Sequence, residues 1–395
     1  MPNKIKKETL KSLVEKHVQE AGENKLVGYD NAAEYVGDLL DAGELAPEDF
    51  SFKALFEELV DLPVSYDNMQ TLAESVHTSA FPIISQKIIH KKIISEYELQ
   101  SERAASLVRE GDANGRTDKE LVAGIAAGDF TPLLRPQYEA YEETSFGEKD
   151  YTINMADFGR LISLSREMIY EDRSGEVMTR SREIGRAAGQ HRSKMIIQTV
   201  EGTARTAFDE SAFQGCIYKG TAKTSANLYA NDHATNFDGQ TNDNLAASNA
   251  LAEYTDLDNV MQLFAAMVDE EGQPIEIVPK QILIPTALNV TAYRIMNTTS
   301  YQYADGTTPK TTINPIAAIG NFDIVPSIYT ANSTSWYMGD FPSQLLWVWV
   351  FRPATASQGA MSESAFTNQI LARFRFAYHG GVGHTDYRYI VKSNA

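Results

Sequence analysis

Three places in this chain carry side chains capable of chemistry. Asn231-Asp232-His233 sits in a polar stretch, His379 and His384 bracket Gly380-Gly381-Val382-Gly383, and Cys216 is the one cysteine. A glycine turn between two histidines can hold a metal or a phosphate through backbone amides. A metal site needs three or four ligands, however, and no third ligand is close in sequence. The glycines are expected to form a strand reversal with positive φ instead. A cysteine nucleophile needs a partner histidine and an electropositive setting. Nothing near Cys216 supplies either, so a small buried hydrophobe is expected there. Asp269-Glu270-Glu271 reads as a solvated helix end, and the acidic clusters lack calcium-loop spacing. The sequence contains no HExxH, no G-x-S-x-G, no Walker A loop and no G-x-G-x-x-G after a strand. No catalytic residue, cofactor or metal is assigned. The competing enzyme reading is a dispersed site through His233 and His379–His384. Activity that survives in a monomer and is lost in His233→Ala would favour it.

The elements that must position these side chains follow from composition and patterning. The 395 residues include 53 acidic and 35 basic ones, a net charge of −18 at pH 7, with 43% hydrophobic and 22% charged residues. That is too apolar for a disordered chain and too poor in cysteine for a disulfide or zinc scaffold. It is too acidic to coat DNA, which takes a basic face to displace counterions. The length allows two or three domains. No run approaches the ~18 apolar residues of a membrane span. The N-terminus lacks the apolar core of a secretory signal, so a soluble protein of a reducing compartment is expected. Residues 1–80 hold seven lysines, no arginine and sixteen acidic residues, half of the net charge in a fifth of the chain. Ile5, Leu10, Leu13, Val14 and Val18 recur at three- and four-residue steps, as do Leu55, Phe56, Leu59 and Val60, which predicts short amphipathic helices. They form a small helical domain, or a segment that packs on copies of itself or on a partner.

Phe81-Pro82 opens a helix with the stripe Ile83, Ile84, Ile88, Ile89, Ile93 and Ile94. Residues 101–130 read as a loop with one short helix. Tyr138–Thr144 and Lys149–Met155 flank Ser145-Phe146-Gly147-Glu148 and read as a hairpin, polar on both faces and marginal alone. A helix from about Gly175 to Glu201, with Ser174 as its cap, spans roughly 40 Å. Its apolar face holds Val177, Met178, Ile184, Ala188, Met195 and Ile196, and Arg180, Arg182, Arg186, Arg192 and Lys194 line the others. After a loop over 205–245, helices are expected near Leu257–Met267 and Ala287–Met296. Strands are expected at Gln281–Ile284, Phe322–Ile328, Ser335–Met338, Leu345–Phe351, Ile370–Ala377 and Tyr387–Val391. Trp347 and Trp349 alternate with apolar residues on a strand covered on both faces, which indicates core or interface.

The order of these parts resembles the major capsid proteins of tailed bacteriophages, the Hong Kong 97-like fold. Phe158–Ile169 followed by Glu171-Asp172 looks like the segment joining the extended loop to the spine helix. Ile184-Gly185-Arg186-Ala187-Ala188 matches the spine helix. Leu228–Asn236 is similar to an Asn- and His-bearing loop of that family, and Ile370–Phe376 to its last peripheral-domain strand. The resemblance covers about residues 80–395 and implies an α+β fold. Its parts would be an acidic helical N-terminal region (1–80), an N-terminal arm helix and connector (81–134), an extended hairpin loop (135–160), a peripheral domain with the spine helix (161–204), an axial domain (205–340) and closing peripheral strands (341–395).

The implied function is a structural one: self-assembly through pentamers and hexamers into an icosahedral virion shell around double-stranded DNA, in the host bacterial cytoplasm. The chain itself is then the main partner, joined by a portal, a maturation protease and decoration proteins, with DNA enclosed but not read and no membrane involved. Arg160, Arg166, Arg182 and Arg186 are expected to pair between subunits with Glu139, Glu142, Glu143 and Glu148 of the hairpin. Phe81, Pro82, Gly147 and Gly175 are the expected pivots. A nanocompartment of the same fold and another virion part, such as a tail or decoration protein, are the alternatives.

Overall fold

In the computed structural model the described residues are 81–113, 115, 119–123, 127–128, 146–147, 150–171, 173–202, 228–234, 241–269, 272–305, 308–316, 322–358 and 370–394. Residues 1–80, the expected strand Tyr138–Thr144 and Cys216 lie outside them. In chain order the elements are α1 (Phe81–Ala105), β1 (Arg109–Asp112), β2 (Lys119–Ala123), β3 (Ala127–Gly128), β4 (Phe146–Gly147), β5 (Asp150–Asn154), β6 (Ala156–Ser165), α2 (Arg166–Tyr170) and α3 (Ser174–Glu201). Then come β7 (His233–Ala234), β8 (Thr241–Asn242), β9 (Leu245–Ala246), α4 (Tyr254–Ala265), β10 (Gln281–Pro285), α5 (Asn289–Asn297), β11 (Ser300–Asp305) and β12 (Thr308–Ile313). The last are β13 (Asp323–Ser327), β14 (Trp336–Gly339), α6 (Phe341–Gln344), β15 (Leu345–Gln358), β16 (Ile370–His384) and β17 (Ile390–Ser393). The architecture is mixed α+β, and the chain divides into two compact units.

The first unit holds α1 up to Glu102, Asp157–Arg192 and Phe351–His379. Its helices meet backbone to backbone. A Cβ added at Gly185 of α3 would lie 2.3 Å from the Ile93 carbonyl oxygen of α1, and one at Gly189 would lie 2.7 Å from that of Tyr97. The two glycines are four residues apart and so share a face. Ser181, one turn earlier, is fully buried on the same stripe. Ile88, Ile89, Ile93 and Tyr97 are the buried side of α1. Tyr97, Phe158, His191, Phe376 and Tyr378 form an aromatic cluster with centroid separations of 4.7–6.4 Å. The Tyr378 hydroxyl lies 2.9 Å from His191 Nδ1. Gln86 of α1 donates to the Thr355 carbonyl at 2.7 Å and accepts from the Ser357 hydroxyl at 2.6 Å, which fixes the outer end of β15.

The second unit holds Arg103–Ala156, Ser193–Val350 and Gly380–Ala395. Its five-stranded sheet has the order β13-β10-β14-β17-β9. β10 pairs parallel with β13 and antiparallel with β14. Leu257, Val260 and Phe264 of α4, and Ala292 and Ile295 of α5, pack with Ile282, Ile284, Trp336, Met338 and Val391 of the sheet as one core. Leu257, Val260 and Phe264 recur at helical spacing, which gives α4 its apolar stripe. The outer strand β13 contains Pro326, which has no N–H to offer a further strand. In this unit β1 runs parallel to the start of β15, from Arg109↔Leu346 to Asp112↔Trp349. Trp347 and Trp349 are buried.

Several expectations are corrected. The partner of Asp150–Asn154 is Lys119–Ala123, in antiparallel register, and Phe146-Gly147 is a strand paired with Ala127-Gly128 rather than a turn. The segment read as loop and short helix therefore supplies strands. Segment 150–155 is less polar than expected, since Ile153 and Met155 pack against Val348. Gly380–Gly383 is not a reversal: β16 runs through it to His384, without positive φ. Glycine is needed there for close approach, because a Cβ at Gly381 would fall 2.1 Å from the Asn154 carbonyl oxygen. Arg192, read as lying off the apolar face of the long helix, is buried at 4% exposure.

Gly185→Ala and Gly189→Ala are each expected to destabilise the protein by about 1–3 kcal/mol, the cost of overpacking, although alanine is the better helix former. Gly175→Ala, where nothing lies within 4 Å of the added Cβ, is expected to be neutral or stabilising. Urea unfolding of the three variants checks this.

Candidate assembly surface

β6 alternates. Ile162 and Leu164 point inward and are at most 4% exposed, whereas Leu161 is 62% exposed. Strand period fixes this split, because successive side chains take opposite faces. Leu161 is therefore an apolar residue on the polar side of its strand. It lies in an open groove of ≈ 440 Å³ whose other wall is α3, through Arg180, Glu183, Ile184 and Ala187. Arg160 borders the same groove. Charged side chains of Arg160, Arg180 and Glu183 rim this exposed leucine.

The structure distributes the arginines singled out above in three ways. Arg160 is exposed on β6, and Arg186 is exposed on α3. Arg182 Nε lies 3.3 Å from Glu96 Oε1 of α1, a partner within the same chain that the sequence reading missed. Arg166 opens α2. Glu139, Glu142, Glu143 and Glu148 lie outside the described residues. Arg180 pairs with Glu176 one turn earlier on α3. Of the pivot residues, Phe81 and Pro82 stand in the first turn of α1, Gly175 in the first turn of α3, and Gly147 in β4. In the second unit, Val290 and Tyr293 are exposed at 80% and 48%, one turn apart on α5.

His233 and His384 are buried in hydrogen-bonded sites. His233 is buried, stacks on Tyr387 at 4.2 Å and donates from Nε2 to the Leu228 carbonyl and Asn244 Oδ1, both at 3.2 Å. Asn244 Oδ1 also accepts from the Ala230 amide at 2.8 Å, and its Nδ2 donates to the Leu228 and Tyr387 carbonyls at 2.9 and 3.0 Å. One side chain thus joins three backbone segments. Burial lowers the His233 pKa, against the pull of Asn244, Leu228, Asp232 and Asp243. His384 is 2% exposed and donates from Nε2 to the Thr199 carbonyl of α3 at 2.7 Å. Its Nδ1 then accepts from Gln344 Nε2, 3.4 Å away. Burial pushes its pKa down to about 4. His379 meets Phe351 edge-on at 5.8 Å. Among the described residues no three His, Cys, Asp or Glu side chains gather as a metal site.

The exposed groove residues Arg160 and Leu161 belong to the first unit, and the buried His233 and His384 to the second. A model of the family described as phage capsid protein matches residues 149–393, more than half of the chain, and the chain belongs to that family. Similar solved structures include the capsid of a native GTA particle, at 13% identity and TM-score 0.46, covering 74% of this chain and 90% of that one. The capsid of Ralstonia phage GP4 shows 10% identity and TM-score 0.45, over 73% and 87%. A virus-like particle from Pyrococcus furiosus shows 9% identity and TM-score 0.43, over 77% and 98%. No curated protein sequence matches the chain.

His384 gives stability a defined pH dependence. Its folded pKa lies below its unfolded value, so its contribution is complete above about pH 6.5 and falls as pH drops towards 4, by up to about 3 kcal/mol. His233 acts with the same sign. Unfolding midpoints between pH 7 and pH 4.5 should fall less steeply in His384→Gln than in the parent, and equal slopes would contradict the assignment. Asn244→Ala strands several buried backbone groups and is expected to cost about 3 kcal/mol in the same assay.

Proposed function

We propose that this capsid protein is the shell-forming head protein, with a Hong Kong 97-like fold, and that it assembles through pentamers and hexamers into an icosahedral shell around double-stranded DNA. The match of the phage capsid family over residues 149–393 carries this reading. On it, residues 135–160 belong to the extended loop, 161–204 carry the spine helix, 205–340 the axial domain and 341–395 the closing peripheral strands. Residues 81–134 form the arm helix and connector, and 1–80 an acidic assembly segment.

Two physical observations support assembly as the mechanism. Among the described residues β3–β4 is a two-stranded ribbon, and such a ribbon gains stability when laid on another surface. Arg160 and Arg186 are exposed where an acidic segment from another copy can meet them, and the segment from Glu139 to Glu148 carries four glutamates. Each such pair contributes only about 0–1 kcal/mol, so the contact gains strength by repetition over many copies in a closed symmetric array. A portal, a maturation protease and decoration proteins complete the set of partners in the host cytoplasm.

Negative-stain microscopy of the purified chain should show pentamers, hexamers or closed shells. Monomers at every salt concentration and pH would overturn the reading. The double reversal Arg160→Glu with Arg186→Glu should reduce the assembled fraction at low salt, with unchanged unfolding midpoint.

A further inference from the structure

Glu201 is the last residue of α3 and is 4% exposed. A carboxylate is poorly placed there, because the carbonyl end of a helix carries partial negative charge. Its Oε1 accepts from the Ala331 amide at 2.6 Å, while its Oε2 is buried and makes no hydrogen bond among the described residues. The nearby cation does not sit on it: Lys392 Nζ of β17 lies over the rings of Tyr229 and Tyr337, at 5.7 and 5.9 Å from their centroids. The Tyr229 hydroxyl is spent on the Val200 carbonyl. Ala331 to Thr334 are exposed and lie in the connection between β13 and β14, which also carries Ile328 at 72% exposure.

We propose that Glu201 is a proton-operated latch on the Ile328–Ser335 connection, holding it on the end of α3 when the carboxyl is neutral and loosening it on ionisation. A neutral carboxyl still accepts the Ala331 N–H and avoids placing an incompletely bonded charge in a dry site. The titratable groups facing it are Lys392 from β17, Tyr337 from β14 and Tyr229. Burial raises the Glu201 pKa above its ordinary value, opposed by the Ala331 amide, Lys392 and the Asn332 amide. A raised folded pKa means that the hold is complete at low pH and is lost as pH rises through it. The latch is a property of a single copy and does not depend on shell formation.

Amide exchange of the 328–335 peptide, followed by mass spectrometry from pH 5 to pH 8 and normalised to the chemical exchange rate, tests this. Protection should fall steadily as pH rises across the range. Glu201→Gln should keep the pH 5 level throughout, with the β14 peptide as a folding control. In Lys392→Met the fall should move to higher pH, because the cation favouring ionisation is gone. Protection that is flat with pH in the parent, or an unshifted fall in Lys392→Met, overturns the latch.

Discussion

The approach of α1 to α3 at Gly185 and Gly189 is the constraint on which the first unit rests. Backbones this close leave no space for even a methyl group, so the helices meet at main-chain atoms and side chains close the flanks. Small changes at such a contact propagate because a close-packed interior transmits strain. Arg182–Glu96 spans one flank, and the aromatic cluster around Tyr378 closes another. The outward faces of β6 and α3 remain as the walls of the groove that exposes Leu161.

The second unit solves a different problem. Its polar, asparagine-rich stretch would leave backbone groups unpaired if it were simply buried. Asn242, Asn244 and Asn249 instead act as surrogate peptide groups. Asn242 takes the Val268 amide and gives to the Val268 carbonyl, as a neighbouring strand would. Asn249 Nδ2 joins Asp256 and Ser393, and its carbonyl receives the Trp336 indole N–H at 3.1 Å. His233 and His384 belong to this scheme. Both donate to main-chain carbonyls as neutral rings, which accounts for their burial without a metal or a substrate.

Much of this was legible from periodicity. The long helix, the isoleucine face of α1, α4 and the strands β10, β13, β14 and β15 all follow from apolar spacing, because burial on one face imposes the period. Two things were not. Glycines at four-residue spacing in α3 mark its tightest contact, yet a search for apolar stripes passes over small residues. The glycines near the end of β16 have the composition of a turn, and only the carbonyls of Val348 and Asn154 standing against them explain a strand. Strand pairing also escaped, since local reading joins nearest neighbours whereas Asp150–Asn154 reaches back to Lys119. For the site, the exposed arginines Arg160 and Arg186 could be named in advance. The intrachain partner of Arg182 could not, because Glu96 is distant in sequence.

A chain of the phage capsid family acts through repeated surfaces. In the first unit the feature open to a neighbouring copy is the groove that exposes Leu161 beside Arg160 and Arg180. Cryo-electron microscopy of the assembled particle is the most direct test. Every copy is expected to keep the Gly185–Ile93 approach, with its Leu161 groove covered by the Glu139–Glu148 segment of a neighbour. Grooves open to solvent throughout the particle would contradict it.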